Sequence, residues 1–447
     1  MKHISTLIFT LLAVGLVNLS AQETTTTPPA SEALASAENV GHALLIPRSS
    51  LVSYPTREEM NAQSTSTHLI PLNEWQSESV AAGTKYTTRF KRTYKLDDKE
   101  IILCVEGATG AVSVDVNGQE IGYSASGNGR SEFDLTKKLK ENNNTISITV
   151  HRNYAARTIE PARQSEELTF SRALIHTPSR VAVADLTVET KFNKSGDGTL
   201  KLGVVMQSFL LNSKVYEIYY EVYSPEGDLL ASANKELTTR MLSRDTVSFY
   251  TRVPKAKAWS HNEPNLYRVV VYTKHQHRFK EFTCANIGFR TAEANDEGEL
   301  LLNGQSVELK STSFTYTSAE ESAAELQRLK EEGYNLIFTP RQQPDELYQL
   351  CDKIGMLVCS SADITCPDKE SANTPSNNPE WKATYLWRTQ SVYHSTKLHP
   401  SVVMFSLGHK AQNGICLYES YLAMKAIKDE VRPFIYPDAN GEWNSDL

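Results

Sequence analysis

Hydrophobic and polar residues alternate with a period of two in several segments between residues 40 and 290. Val112-Ser113-Val114-Asp115-Val116 and Ile146-Ser147-Ile148-Thr149-Val150 place apolar side chains on one face of a strand. Asn117-Gly118 predicts a tight hairpin turn after the first of these strands. One buried and one wet face per strand is typical of antiparallel β-sandwiches.

After about residue 300 the spacing of apolar residues becomes helical, and short apolar runs separate the helices. Helices are predicted at residues 320–332, 345–354, 381–397 and 417–431, and strands at 336–338, 356–359, 402–407 and from 434 onward. Strands that alternate with helices indicate a parallel sheet covered by helices.

The first 21 residues predict a signal peptide, because Lys2 and His3 precede an apolar run at 7–17 and a plausible cleavage site follows residues 19–21. Residues 22–39, rich in Thr, Pro, Ala and Ser, predict a disordered linker. We expect an exported protein without a transmembrane anchor, either periplasmic or secreted to the cell surface.

The chain has 447 residues, which suits about three domains. Its net charge of −7 argues against binding to nucleic acid. The six cysteines show no C-x-x-C spacing, so zinc is unsupported, and we expect neither a metal nor a cofactor. Free buried thiols are favoured, and a Cys359–Cys366 bridge stays open as an alternative.

Two β-rich segments contain short framework motifs. Residues 116–124 (Val-Asn-Gly-Gln-Glu-Ile-Gly-Tyr-Ser) resemble V-N-G-x-x-V-G-Y-S, a motif in the N-terminal jelly roll of glycoside hydrolase family 2, the β-galactosidase and β-glucuronidase family. Residues 259–267 resemble its W-S-x-x-x-P-x-L-Y, and residues 287–290 contain its G-F-R. The resemblance implies a sugar-binding-like jelly roll at 40–180 and an immunoglobulin-like β-sandwich at 181–293.

Residues 399–410 resemble strand four of the family's (β/α)8 barrel, which reads H-P-S-V-x-x-W-S-x-G-N-E. The resemblance implies a TIM-barrel-like domain at 294–447. The final Glu of the family motif is the catalytic acid/base, but His409 and Lys410 stand where Asn and Glu are expected. The acid/base position is therefore interpreted as vestigial.

Other site motifs of the family are also replaced. Residues 338–344 stand for its R-x-S-H-Y-P, and residues 360–367 for its D-E-x-x-x-E-x-H-G. Thr365 and Pro367 fall where that motif supplies metal ligands. We expect a truncated barrel, since the sequence stops just after a fifth strand and the family's nucleophile lies on a later one. The family's structural motifs are therefore present in this sequence, whereas its active-site motifs are replaced.

The leading hypothesis is a non-catalytic protein that binds carbohydrate or a protein partner. The alternative is a β-galactosidase-like hydrolase that uses unrecognised residues or a partner chain. Asp438 and Glu442 are the remaining carboxylate candidates, and Tyr154 and Arg157 are candidates for carbohydrate binding. An open barrel has exposed edges, so we expect a homodimer or a protein partner to cover it.

Overall fold

The computed structural model describes residues 40–62, 65–126, 128–160, 167–193, 196–366, 374–428, 430–439 and 443–447. The predicted signal peptide at 1–21, the predicted linker up to residue 39 and the candidate Glu442 lie outside the described residues. None of the helices in these ranges has both the length and the apolar character needed to cross a bilayer.

The first domain is a jelly-roll β-sandwich. Its strands are β1 (Gly41–His42), β2 (Leu69–Pro71), β3 (Gln76–Val80), β4 (Gly83–Arg92), β5 (Ile102–Glu106), β6 (Val112–Val116), β7 (Gln119–Ser124), β8 (Ser131–Asp134), β9 (Asn142–His151) and β10 (Arg172–His176). They form a six-stranded sheet, β1-β7-β6-β9-β4-β3, and a four-stranded sheet, β2-β10-β5-β8. The predicted alternation is confirmed in β6, where the three valines are buried and Ser113 and Asp115 are not.

The second domain is an immunoglobulin-like sandwich. Its strands are β11 (Val181–Phe192), β12 (Gly198–Ser208), β13 (Lys214–Tyr223), β14 (Leu229–Thr239), β15 (Arg244–Val253), β16 (Tyr267–His275) and β17 (Arg278–Ile287). Sheets β11-β12-β15 and β14-β13-β16-β17 enclose a core of buried residues such as Leu202, Ile218 and Val269. Helix α1 (Arg57–Asn61) precedes this domain in the chain and packs Met60 against Phe282.

The third domain begins with a small antiparallel sheet and continues as a parallel one. The first comprises β18 (Ala292–Ala294), β19 (Leu300–Leu302) and β20 (Gln305–Ser306). The second comprises β21 (Ser311–Ser313), β22 (Leu336–Thr339), β23 (Leu357–Ser361), β24 (Val402–Ser406) and β25 (Phe434–Ile435), paired in chain order. The helices are α2 (Ala319–Glu331), α3 (Asp345–Ile354), α4 (Lys382–Thr396) and α5 (Ile415–Lys425). The predicted partial barrel is confirmed as the fold of these residues.

The helix predicted at 417–431 was wrong at its end, because α5 stops at Lys425. The carboxylate of Glu430 accepts hydrogen bonds from the backbone N–H groups of Val431 and Arg432. It also pairs with the guanidinium of Arg432. These bonds stabilise a turn in front of Pro433 and compete with a continued helix.

The two faces of the parallel sheet are covered differently. Ile337 and Val358 pack against the helices. On the other face, Leu357 and Val403 are fully buried and belong to one apolar cluster with Trp259 of the second domain. The inner face, which the sequence predicts to be open, is therefore covered in part by the chain itself.

All three domains meet at the carboxylate of Asp185. Its Oδ2 lies 2.6 Å from Nζ of Lys397, directly after α4, and its Oδ1 accepts a 2.7 Å hydrogen bond from the hydroxyl of Ser49. Burial favours the neutral carboxyl, but Lys397 and His394 outweigh this effect and hold the pKa of Asp185 well below its usual range. Since the side chains of Lys397 and Asp185 are only 5% and 4% exposed, they form a buried interdomain ion pair.

The substitution Lys397→Met should lower the free energy of unfolding by about 3–5 kcal/mol, because it removes the nearest cation of the buried Asp185 carboxylate and leaves only Arg244 at 3.9 Å and His394 at 3.7 Å. The double variant Asp185→Asn/Lys397→Met should recover part of this loss. Lys382→Met is the matched control, because its pair with Glu419 is exposed and should contribute less than about 1 kcal/mol. Urea unfolding followed by circular dichroism measures all three, and equal losses at the two lysines would contradict the assignment.

Candidate functional site

A cavity of about 540 Å³ lies between the jelly roll and the carboxyl ends of the first three parallel strands. One wall comes from β5, β10 and the residues beside them, and the other from the segments that follow β21, β22 and β23. In barrel enzymes, the carboxyl ends of the strands carry the active site. The lining residues used below are Glu106, Arg130, Glu160, Arg172, Tyr316, Arg341, Glu346 and Asp363.

The cations of the jelly-roll wall are already paired. Arg172 Nη2 lies 2.6 Å from Oε2 of Glu106, and Arg130 Nη2 lies 2.6 Å from Oε1 of Glu132. Arg172 also approaches Glu346 on the opposite wall, at 3.9 Å. This wall therefore presents guanidinium groups whose charge is already neutralised, and one of their atoms, the buried Nε of Arg130, has no hydrogen-bond partner among the described residues.

The barrel wall presents a donor and an acceptor that remain unpaired. Arg341 and Asp363 each lie two residues beyond the end of their strand, β22 and β23 respectively. The Nε of Arg341 and the Oδ1 of Asp363 are buried and have no hydrogen-bond partner in the part of the chain that the structure describes. Buried groups of this kind cost free energy unless a partner satisfies them, so both are candidates for contact with a ligand.

The Asp363 carboxyl is in an environment that disfavours its charge. Burial raises the pKa of Asp363 to about 6, although Arg388 opposes the shift. The nearby carboxylate of Glu160 adds to the rise in pKa, whereas Arg341 and the backbone of Asn128 act against it. A carboxyl with such a pKa exchanges its proton near neutral pH, as acid and base groups in functional sites do.

Arg388 of α4 joins the two walls of the cavity. Its guanidinium donates to Oε1 of Glu160 at 2.8 Å and to the carbonyl of Ala125 at 2.9 Å, both in the jelly roll. It also donates to the carbonyl of Asp363 in the barrel, at 2.5 Å. Because the side chains of Arg388 and Glu160 are at most 4% exposed, this buried ion pair fixes the separation of the walls.

The loop after β24 continues the same sheet edge beyond the cavity. Gly408, Lys410 and Gln412 all have positive φ angles, of 149°, 48° and 52°. Left-handed backbone at non-glycine residues is costly, and it persists only where neighbouring contacts hold it. Here the N–H of Lys410 donates to Oδ2 of Asp438 at 2.5 Å, and its carbonyl accepts from the N–H of Cys366 at 2.9 Å.

Three candidates from the sequence, His409, Lys410 and Asp438, lie at this loop. None of them lines the cavity. Lys410 is exposed, and Asp438 binds its backbone. The ring of His409 meets that of Phe338 edge to face, with ring centres 5.6 Å apart. Burial lowers the pKa of His409, although Asp438 acts in the opposite direction. The predicted partner Glu442 lies outside the described residues.

The two predicted carbohydrate-binding residues lie next to the cavity without lining it. The hydroxyl of Tyr154 donates to the carboxylate of Glu160, and Arg157 donates to the carbonyl of Arg152 at 2.8 Å. Sequence reasoning selects this segment but misses Glu160, which lines the cavity.

The sequence analysis also does not select Arg341 and Asp363 as candidate site residues. The available signal was their position, because each follows closely after a predicted strand, at 336–338 and 356–359. Polar residues at the carboxyl ends of barrel strands are candidates for function even where they match no family motif.

Neither a disulfide nor a group of metal ligands is found at this site among the described residues. None of the six cysteines is joined in a disulfide, so the bridge between Cys359 and Cys366 is not formed. Within the described ranges, no group of three or more His, Cys, Asp or Glu side chains is placed to hold a metal ion.

Comparison with known proteins assigns the class. Residues 55–188 match the glycosyl hydrolase 2 galactose-binding domain-like family, and residues 181–290 match glycosyl hydrolases family 2. Residues 323–445 match the glycosyl hydrolases family 2 TIM barrel domain. The chain belongs to glycoside hydrolase family 2, as its sequence motifs predict.

Curated relatives include several β-galactosidases. That of Priestia megaterium is 26% identical over 381 residues, covering 78% of this chain and 36% of the relative. The β-galactosidase large subunit of Leuconostoc lactis is 25% identical over 364 residues, covering 76% of this chain and 56% of the subunit. The chain thus spans about a third of the length of the first of these relatives.

Solved structures with the same fold include two β-glucuronidases. β-Glucuronidase 2 of Bacteroides uniformis superimposes with a TM-score of 0.67 at 17% identity, over 79% of this chain and 46% of the enzyme. The β-glucuronidase of Parabacteroides merdae gives 0.66 at 17% identity, over 80% and 48%. At this identity the likeness establishes the shared fold.

The unfolding free energy should reveal the raised pKa of Asp363. A carboxyl whose pKa rises from ~3.9 in the unfolded chain to about 6 in the folded one stabilises the fold in acid. That contribution is lost as the pH rises through the folded pKa. Between about pH 4 and pH 7, the stability of Asp363→Asn should therefore rise relative to wild type by an amount of the order of 2 kcal/mol. Urea titrations across this range measure the difference, and a constant offset between the two proteins would contradict it.

Proposed function

We propose that this protein binds a carbohydrate in the cavity between the jelly roll and the barrel, and that it does not hydrolyse it. The observation that carries the proposal is the pair of unsatisfied atoms, Arg341 Nε and Asp363 Oδ1, among the described residues. A sugar hydroxyl both accepts and donates a hydrogen bond, so the hydroxyls of a bound sugar can satisfy both groups. Pairing these two groups would remove a desolvation cost that the ligand-free site carries.

The size and lining of the cavity support a sugar. Its volume of about 540 Å³ falls within the range typical of small-molecule sites. The wall is mostly charged and polar, and it includes the half-buried ring of Tyr316. Such a lining suits a polar ligand with many hydroxyl groups and does not suit an apolar one.

The family supports the same class of ligand. The relatives carry the names β-galactosidase and β-glucuronidase, which denote galactosides and glucuronides. The jelly roll, whose strands β5 and β10 contribute to one cavity wall, matches a galactose-binding domain-like family. We therefore take galactosides and glucuronides as the first ligands to test.

The loop after β24 supports binding without hydrolysis. Retaining glycosidases need two carboxyl groups about 5–5.5 Å apart, one of them a proton donor. The residue at the family's acid/base position is Lys410, and a free lysine, with a pKa near ~10.4, is a poor acid at neutral pH. The nearby carboxylate of Asp438 accepts a hydrogen bond from the backbone of this loop.

One observation favours the alternative, a hydrolase with relocated carboxylates. Asp363 has a pKa raised to about 6, whereas Glu160 bonds to the Arg388 guanidinium and the Tyr154 hydroxyl. Two carboxyls in different environments are the pattern of an acid and its charged partner. Turnover by the wild-type protein that disappears in Asp363→Asn would favour this alternative over simple binding.

The proposal also includes export and a protein partner. The basic and apolar residues of segment 1–21 support export, which cell fractionation and N-terminal sequencing would test. The short, largely exposed edge strand β21 supports a homodimer or another partner that adds to the sheet. Sedimentation of the purified protein over a range of concentrations would test self-association, and a monomer at every concentration would exclude the homodimer.

Binding should depend on Arg341 and Asp363. Each substitution, Arg341→Ala or Asp363→Ala, should weaken binding of a β-galactoside or β-glucuronide by about tenfold or more, because a hydrogen bond to a charged group is lost. Arg157→Ala is the matched control, since Arg157 is exposed and lies outside the cavity wall. Isothermal titration calorimetry measures the affinities, and an equal loss in Arg157→Ala would place the ligand elsewhere.

Restoring the family's residue with Lys410→Glu should not create hydrolysis. The new carboxyl would stand at an exposed position whose neighbouring carboxylate, Asp438, is already bonded to the backbone N–H of residue 410. Release of chromophore from aryl β-galactosides and β-glucuronides measures turnover. Appearance of specific turnover in this variant would show that the remaining catalytic groups are present and would contradict the non-hydrolytic proposal.

A further inference from the structure

An exposed tryptophan follows β25, at the same edge of the parallel sheet as the cavity. Trp443 is 57% exposed, whereas Trp259 is fully buried and Trp387 is 4% exposed. The ring of Trp443 meets that of Tyr418 edge to face. Aromatic surface left in water beside polar residues is a feature of binding sites.

The position of this aromatic pair is set by its neighbours. Tyr418 lies in the first turn of α5, which begins directly after the loop that follows β24. Asn444, next to Trp443, exchanges two side-chain hydrogen bonds with Asn413 of that loop, at 2.9 and 2.7 Å. The pair is therefore held beside the last two strands of the sheet, whereas the cavity lies at the first three.

The segment between the cavity and the aromatic pair is polar and fixed. It is the loop with positive φ at Lys410 and Gln412, whose backbone is bonded to Asp438 on one side and to Cys366 on the other. A strained loop persists where the surrounding structure holds it, and such loops concentrate at functional sites. It offers fixed polar groups between Asp363 and Trp443.

We propose that Trp443 and Tyr418 form a second subsite that stacks on a sugar ring, so that the ligand is an oligosaccharide lying along the sheet edge. This inference rests on the proposed function, because the other end of the ligand occupies the cavity. The apolar face of a sugar ring packs on an aromatic ring while its hydroxyls stay solvated or bind polar neighbours. From β22 to β25 the edge spans three strand spacings, about 14 Å, which is longer than one sugar ring.

The test compares ligands of increasing length on matched variants. Calorimetry of the full-length protein with β-linked galacto-oligosaccharides, from the disaccharide upward, gives the gain in affinity with length. Trp443→Ala should reduce that gain by between about two- and tenfold, and Trp443→Phe should retain most of it. Tyr94→Ala is the control, because Tyr94 is 81% exposed on the jelly roll. The change in tryptophan fluorescence on binding should be largest for the longer ligands and absent in Trp443→Phe.

The outcomes separate the two proposals. Equal affinity for short and long ligands, or a gain with length that survives in Trp443→Ala, would overturn the second subsite while leaving the cavity intact. Failure of every saccharide to bind would overturn the proposed function and the subsite with it. If the wild type sediments as a dimer that Trp443→Ala dissociates, a second copy covers the aromatic pair and the subsite is refuted.

Discussion

The cavity depends on the hydrogen bonds of one buried group, the guanidinium of Arg388. It bonds to the jelly roll through Glu160 and Ala125, and to the barrel through the carbonyl of Asp363. A buried charge is tolerated where fixed acceptors offset its desolvation, and loss of one partner leaves it uncompensated. If the two walls of the cavity separated, the Arg388 guanidinium would lose some of its hydrogen-bond partners. The packing of the jelly roll against the barrel therefore determines the width of the cavity.

The chain has the family's fold, but its sequence differs from the family's site motifs at one edge of the parallel sheet. The loop after β24 has an unusual backbone, held by Asp438 and Cys366, and carries Lys410 where the family's sequence motif has a glutamate. Among the described residues, unsatisfied polar atoms of the cavity belong to Arg341 and Asp363, after neighbouring strands of the sheet, and to Arg130 of the jelly-roll wall. Function in this chain is therefore better inferred from unsatisfied groups than from the family's motif positions, because a fold alone does not specify a reaction.

Most of the fold is predictable from the sequence, whereas most of the site is not. Alternation in β6 and the helical spacing of α3 report which face is buried, and they depend on residues close in the chain. The cavity depends instead on contacts between distant segments, since Glu160 and Arg388 meet although 228 positions separate them. Such contacts leave no local pattern, which is why the sequence directs attention to Tyr154 and Arg157 rather than to Glu160.

Whether the cavity holds an intact sugar is tested most directly by a crystal structure of the protein with a β-linked disaccharide. We expect density for an uncleaved disaccharide, with sugar hydroxyls within hydrogen-bonding distance of Arg341 Nε and Asp363 Oδ1. A cavity without sugar while the ligand occupies another surface, or density for a cleaved sugar, would contradict the proposal.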